Sequence, residues 1–200
     1  MTNGAVTPIV PDADIPGVAR LRSLVADLDS SVPSRRGHSQ RVAYYAVLIA
    51  VRMKAQLTSL QRLMLAAQLH DVGWAAVPKR VLEEPTAFEN EVRELVQTHV
   101  IEGERALVDL GLAREAAWVR HHHERWDGSG YPDGLAGESI PLESRIIAGA
   151  ERLEAMRSAR DYRRALTASE AAARLDAEAG TTLDPAVARV GAGLVEEGIV

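Results

Sequence analysis

Three apolar helical stripes in the sequence end in groups that can hold a metal ion. In SLQRLMLAAQLHD, Leu60, Leu63, Met64 and Ala67 recur at i, i+3, i+4 and i+7, and the same face continues into His70 and Asp71. In VRELVQTH, Val92, Leu95 and Val96 lead to His99, and in RIIAGAERLEA, Ile147 and Ala150 run toward Glu151 and Glu154. An ionisable group aimed into a core is unfavourable unless it is paired or coordinates an ion. The run RHHHERWDGSGYPDG adds three consecutive histidines to a chain that has six, at 38, 70, 99, 121, 122 and 123. Neutral imidazole together with carboxylate suits iron, manganese, nickel or zinc, and facing helices of a bundle can supply every ligand. Adjacent His70 and Asp71 can serve one ion, or two with the aspartate as a bridge. A bridged pair of ions lowers the pKa of bound water and neutralises charge on a phosphoryl group, which cleaves a phosphodiester without a protein nucleophile.

The elements that must position these groups are helical. Periodicity predicts helices near 16–30, 38–54, 58–71, 87–98, 100–110, 113–123, 143–158, 168–178 and 185–196, punctuated by Gly37, Gly73, Gly111, Gly180, Pro78, Pro85 and Pro141. No alternating strand pattern of useful length and no internal repeat is present, so the expected fold class is all-α. Residues 1–15, with Pro8, Pro11 and few large apolar groups, read as a flexible lead-in, and 16–200 as one domain.

Composition narrows the chemistry further. The 200 residues are 46% hydrophobic and 26% charged, enough for a substantial core. The absence of cysteine excludes disulfides, thiolate metal sites and cysteine nucleophiles. A formal net charge of -5 argues against polymeric nucleic acid and anionic membranes as partners. No apolar run approaches the roughly 18 residues of a membrane span. The opening MTNGAVTPIVPDADIPG lacks the basic leader and apolar core of a signal peptide, so the expected location is cytoplasmic. The chain carries no GxxxxGK[ST], GxGxxG, HExxH or GxSxG motif.

The ordered series GHSQRV, LHDVG, THVIEG, HHERWDGSGYPDGLAGESIP, RRAL and GTTLDP resembles the HD-GYP subgroup of the HD-domain metal-dependent phosphohydrolases. The resemblance spans roughly residues 34–190, and HHERWDGSGYP is its most specific part. It implies an HD-domain-like helical bundle with an irregular GYP loop, and hydrolysis of a cyclic dinucleotide, cyclic di-GMP foremost, to a linear product. It implies His70 and Asp71 as the catalytic signature pair, and His38, His70, Asp71, His99, His122 and His123 as metal ligands, with His121 a neighbour. Gly130, Tyr131 and Pro132 form the namesake loop, which shapes the ligand pocket and can meet a signalling partner. Tyr131 is expected to contact substrate, and Arg160 and Arg163 to contact its phosphates. A homodimer is a further expectation.

Three positions depart from the family pattern. Trp74 stands where the family has a lysine, Glu151 where it has a metal-binding aspartate, and Ser34 where members with three metals have an acidic ligand. Glu151 keeps the carboxylate with one more methylene and is expected to remain a ligand. Two divalent ions, iron, manganese or another, are therefore expected. Trp74 and Glu151 also motivate an alternative of another class, a module that binds a cyclic dinucleotide or a partner protein without turnover.

Overall fold

The computed structural model of the chain describes residues 17–31, 35–55, 59–78, 89–159 and 164–200, with the side chains of 89–93 outside that description. The proposed lead-in, together with Ser34, Arg160 and Arg163, lies outside the described residues. Among the described residues there are eight α-helices and no strand, which bears out the all-α expectation. They are α1 (Val18–Ser31), α2 (His38–Arg52), α3 (Leu60–Leu69), α4 (Glu89–Val108), α5 (Ala113–Arg120), α6 (Leu142–Arg157), α7 (Ala168–Glu178) and α8 (Pro185–Glu196). Short 3₁₀ turns occupy Val72–Ala76 and Gly137–Ser139. No helix among the described residues is long and apolar enough to cross a membrane.

Local chemistry sets most of the helix starts. Gly37, at φ 70, makes the left-handed turn that lets α2 begin on His38. The Ser59 hydroxyl accepts the Arg62 N–H at the start of α3, and Thr167 with Glu170 closes a capping box on α7. Asp184 accepts from the N–H groups of Ala186 and Val187, with Pro185 at the first turn of α8.

Two differences from the sequence expectation bear on the site. The segments predicted as 87–98 and 100–110 are one helix, α4. Thr98 Oγ1 and His99 Nδ1 bond back to the carbonyls of Leu95 and Val96, contacts that let the helix continue through them. The segment predicted as 113–123 stops at Arg120. The Val119 carbonyl, which a continuing helix would offer to the His123 N–H, takes His122 Nδ1 at 2.6 Å. The paired histidines thus leave the helix and enter a turn.

The core is built from small and branched residues. Val42, Ala46 and Ile49 of α2 meet Leu63, Ala66 and Leu69 of α3, with Ile146, Ile147 and Ala150 of α6 closing the cluster. Each fully buried leucine or isoleucine contributes about 1.5–3 kcal/mol. A second cluster joins Leu153 and Met156 of α6 to Leu175 of α7 and Ala188 and Val195 of α8. Helix α6 belongs to both clusters, so its polar residues are carried into the middle of the molecule.

The tightest crossing lies where the 3₁₀ turn after Asp71 meets α4. A Cβ on Gly73 would stand 1.9 Å from the His99 carbonyl oxygen and 2.6 Å from the Gly103 nitrogen. Only hydrogen fits there, and the fit sets Asp71 beside His99. Gly73→Ala is expected to lose about 2–4 kcal/mol of stability, read as a fall in Tm of roughly 5–15 °C in a thermal melt followed by circular dichroism.

Candidate metal centre

Four helices and one turn bring the ionisable stripe ends together. His38 is the first residue of α2, His70 and Asp71 follow the end of α3, and His99 sits inside α4. His122 and His123 lie in the turn after α5, and Glu151 is on α6. Every metal-ligand candidate named from the sequence is in this cluster. The ligand atoms of Asp71, His99, His122 and His123 lie within 4.8 Å of one another, as do those of His38, His70 and Asp71, and those of His70, His122 and Glu151. Each pair of these groups has one residue in common, Asp71, His70 or His122.

One backbone device orients three of the rings. His70, His99 and His122 each direct Nδ1 at the carbonyl three residues earlier, on Ala67 at 2.8 Å, Val96 at 2.5 Å and Val119 at 2.6 Å. A carbonyl only accepts, so each Nδ1 carries a proton and Nε2 is the nitrogen left to present a lone pair to an ion. These three Nε2 atoms are buried and have no hydrogen-bond partner. Buried polar atoms are satisfied in nearly all proteins, so three converging lone pairs fit a bound cation.

Asp71 completes the arrangement. Its Oδ1 lies 3.6 Å from His99 Nε2, and its Oδ2 lies 3.4 Å from His70 Nε2 and 3.8 Å from His38 Nε2. The two oxygens face different ligand groups, the geometry of a bridging carboxylate. Burial acts to raise its pKa, but His70 and the Arg35 guanidinium outweigh burial and hold the carboxyl well below the usual carboxylate range. Conversely, burial acts to lower His70, and the Asp71 charge outweighs it and raises it to about 9, so an ion at His70 Nε2 would displace a proton shared with Asp71. Burial and the neighbouring imidazoles push His122 well down and His123 to about 3, which keeps both neutral, as ligands must be.

His38 is held differently. Its Nδ1 donates to Glu154 Oε2 at 2.8 Å, and Glu154 Oε1 accepts from Arg41 and from Ser158 Oγ. Glu154, named with Glu151 at the end of the third stripe, is 1% exposed and holds the His38 ring from behind. Its spacing of three from Glu151 on one helix was the available signal. Sequence reasoning did not assign Arg35, which ion-pairs with Asp71 Oδ2, because the pairing partners are 36 residues apart. Trp74 donates Nε1–H to Asp71 Oδ1 at 3.0 Å and stacks on His99 with ring centroids 4.8 Å apart.

The GYP loop is built as a wall against these side chains. Glu124 accepts the N–H groups of Asp133 and Leu135, and a Cβ on Gly130 would stand 2.3 Å from the Arg125 nitrogen. Trp126 and Asp127 donate their N–H groups to the carbonyls of Thr182 and Thr181, so the GTTLDP segment braces the loop from below. Tyr131 packs on His123 with centroids 5.0 Å apart, and Pro132 follows it. His121 faces away and pairs with Asp133 at 2.8 Å. A cavity of about 610 Å³ opens here, lined by His122, His123, Tyr131, Glu151 and Arg152 among others.

Glu154 also makes a pH-dependent contribution. Burial acts to raise its carboxyl, and His38, Ser158 and Arg41 outweigh it and lower the pKa from 4.5 to about 2. A depressed folded-state pKa stabilises the fold above the unfolded value, and the contribution disappears as pH falls from about 4.5 to about 2. Glu154→Gln is expected to lose about 2–3 kcal/mol in denaturant melts at pH 7. The gap from the parent protein should narrow as pH is lowered through that window.

A family model for the HD domain matches residues 23–187. The cyclic di-GMP phosphodiesterase response regulator RpfG of Xanthomonas campestris pv. campestris (strain 8004) is 35% identical over 177 residues, covering 83% of this chain and 46% of that protein. The 3'3'-cGAMP-specific phosphodiesterase 3 of Vibrio cholerae serotype O1 is 36% identical, covering 79% of this chain and 35% of that protein. The chain thus spans less than half the length of these curated relatives. A crystal structure of a cyclic GMP-AMP-specific phosphodiesterase from V. cholerae superposes with a TM-score of 0.68 at 22% identity, covering 90% of this chain and 48% of that one, and shares the fold. With the family match running from α1 into α8 and the histidine–aspartate cluster at its centre, the chain belongs to the HD domain family.

Proposed function

We propose that the chain is a metal-dependent phosphodiesterase that hydrolyses a cyclic dinucleotide, cyclic di-GMP foremost, to a linear product. The carrying observation is the set of three buried Nε2 lone pairs of His70, His99 and His122, converging with Asp71 beside the cavity walled by Tyr131. The relatives support the substrate class, since those named above act on cyclic dinucleotides. In this reading two divalent ions, iron, manganese or another, would be held by His38, His70 and Asp71 and by Asp71, His99, His122 and His123. Glu151 joins through the His70–His122 side.

The bound ions supply Lewis acidity, which makes water nucleophilic at neutral pH and offsets charge on the phosphoryl oxygens. The chain supplies placement. Asp71 sets the spacing between the two ligand groups, and Glu154 fixes the ring of His38. Burial and the charges of Glu151 and Asp71 raise the Tyr131 phenol, so it stays protonated and can donate to a phosphate oxygen. Arg160 and Arg163 are assigned to the phosphates on resemblance. Water displaces the ester oxygen at phosphorus, opening the ring at one P–O bond and leaving the second phosphodiester intact. We assign the enzyme to the cytoplasm, as one domain over 16–200. A signalling protein would meet the GYP loop, and a homodimer is the proposed assembly.

A second reading, cyclic-dinucleotide binding without turnover, is favoured by Trp74, whose indole lies flat on His99 in the place of the family's lysine. The two readings separate on purified protein loaded with manganese or iron and incubated with cyclic di-GMP. Release of linear dinucleotide is expected, and Asp71→Asn should reduce it about 10³-fold or more while the protein stays folded. Confirmed bound metal with neither linear dinucleotide nor mononucleotide would sink the enzymatic reading. Trp74→Lys is expected to leave turnover unchanged or lower it, through loss of the bond to Asp71. A gain of about tenfold or more would support the second reading.

A further inference from the structure

Asp71 is the only carboxylate common to the two ligand groups that flank it, and two donors outside those groups already divide its oxygens. Trp74 gives a neutral N–H to Oδ1, the oxygen that faces His99. Arg35 places a guanidinium on Oδ2, the oxygen that faces His38 and His70. Neutral and charged donors have opposite consequences for a cation at the same carboxylate. An indole N–H occupies one lone pair and leaves the negative charge available to an ion. A guanidinium, charged at every working pH, neutralises that charge and repels a divalent ion nearby.

Arg35 is also tethered from behind. Its Nε lies 3.9 Å from Asp29 Oδ1, and the buried Asp29 carboxylate is itself held by the Ser39 N–H at 2.9 Å and the Ser39 hydroxyl at 3.2 Å. Its side chain is 29% exposed, so part of it reaches solvent while the charged end is against Asp71. The guanidinium is therefore a placed group and not a surface charge that happens to reach inward.

We propose that Arg35 is a built-in competing cation that makes the two ion positions unequal. The ion held by His38, His70 and Asp71 Oδ2 binds more weakly and exchanges first. The ion held by Asp71 Oδ1, His99, His122 and His123, on the side of the neutral Trp74 donor, binds more tightly. This inference rests on the metal-centre reading above, and its consequence is a chain whose second ion tracks the free metal concentration.

The test is calorimetric titration of the metal-free protein with manganese(II) alone, without nucleotide. The parent protein is expected to bind two ions with dissociation constants at least about tenfold apart. Arg35→Ala should tighten the weaker step about tenfold and change the tighter one less than about twofold. Arg35→Gln, which keeps a donor and removes the charge, should do the same, and it decides the matter if the alanine variant does not fold. Equal affinities in the parent protein, or variants whose weaker step is unchanged or weakened, would overturn the inference and leave the metal centre standing. No manganese binding by the folded parent protein would remove the metal-centre reading itself.

Discussion

The site depends on where the ring protons of three histidines go. Each of His70, His99 and His122 donates Nδ1–H to the carbonyl three residues upstream, so each Nε2 lone pair turns away from its own helix and into the interior. For His70 and His122 the accepting carbonyl belongs to the last turn of a helix, where carbonyls lack intrahelical partners. The end of the helix and the tautomer of the ligand are then one event. The helix stops, its orphan carbonyl is satisfied, and the imidazole is locked in the form that can bind an ion.

Burying this many polar groups is tolerable only because the rest of the fold holds them at close range. The core around them is rich in alanine, with Ala43, Ala46 and Ala50 on α2 and Ala66 and Ala67 on α3, so the helices approach closely. Gly73 and Gly103 bring the turn after Asp71 onto the backbone of α4. Asp71 is thereby held between His99 on one oxygen and His38 and His70 on the other. Glu154, Arg41 and Ser158 hold His38 from outside. The GYP loop is shaped by its own carboxylate, Glu124, and by carbonyls lent from the segment before α8.

Two of the three positions expected to depart from the HD-GYP pattern lie within the described residues, and both touch the site. Trp74 is bonded to Asp71 and stacked on His99, so a neutral donor reaches the carboxylate from this position. Glu151 reaches the group of His70 and His122 despite its extra methylene. A positive charge does stand at Asp71, on Arg35 from the other side of the carboxylate.

The helices, the ends of their apolar stripes and the metal-binding residue types were legible in the sequence, because helical periodicity and side-chain chemistry are local properties. The motif order carried His38, His122, His123 and Glu151 into one candidate site. Where α5 ends was not legible, because the competitor for the Val119 carbonyl is a side chain whose ring orientation depends on packing. The unbroken α4 was missed for a similar reason, since the back-bonding of Thr98 and His99 is compatible with either outcome. Arg35 on Asp71 and Glu154 on His38 pair residues 36 and 116 positions apart, which no local pattern reports. The sequence by itself determined which groups could bind an ion. Tertiary packing decided which oxygen, lone pair and counter-charge each would meet, because those depend on distances between helices that only the folded core sets.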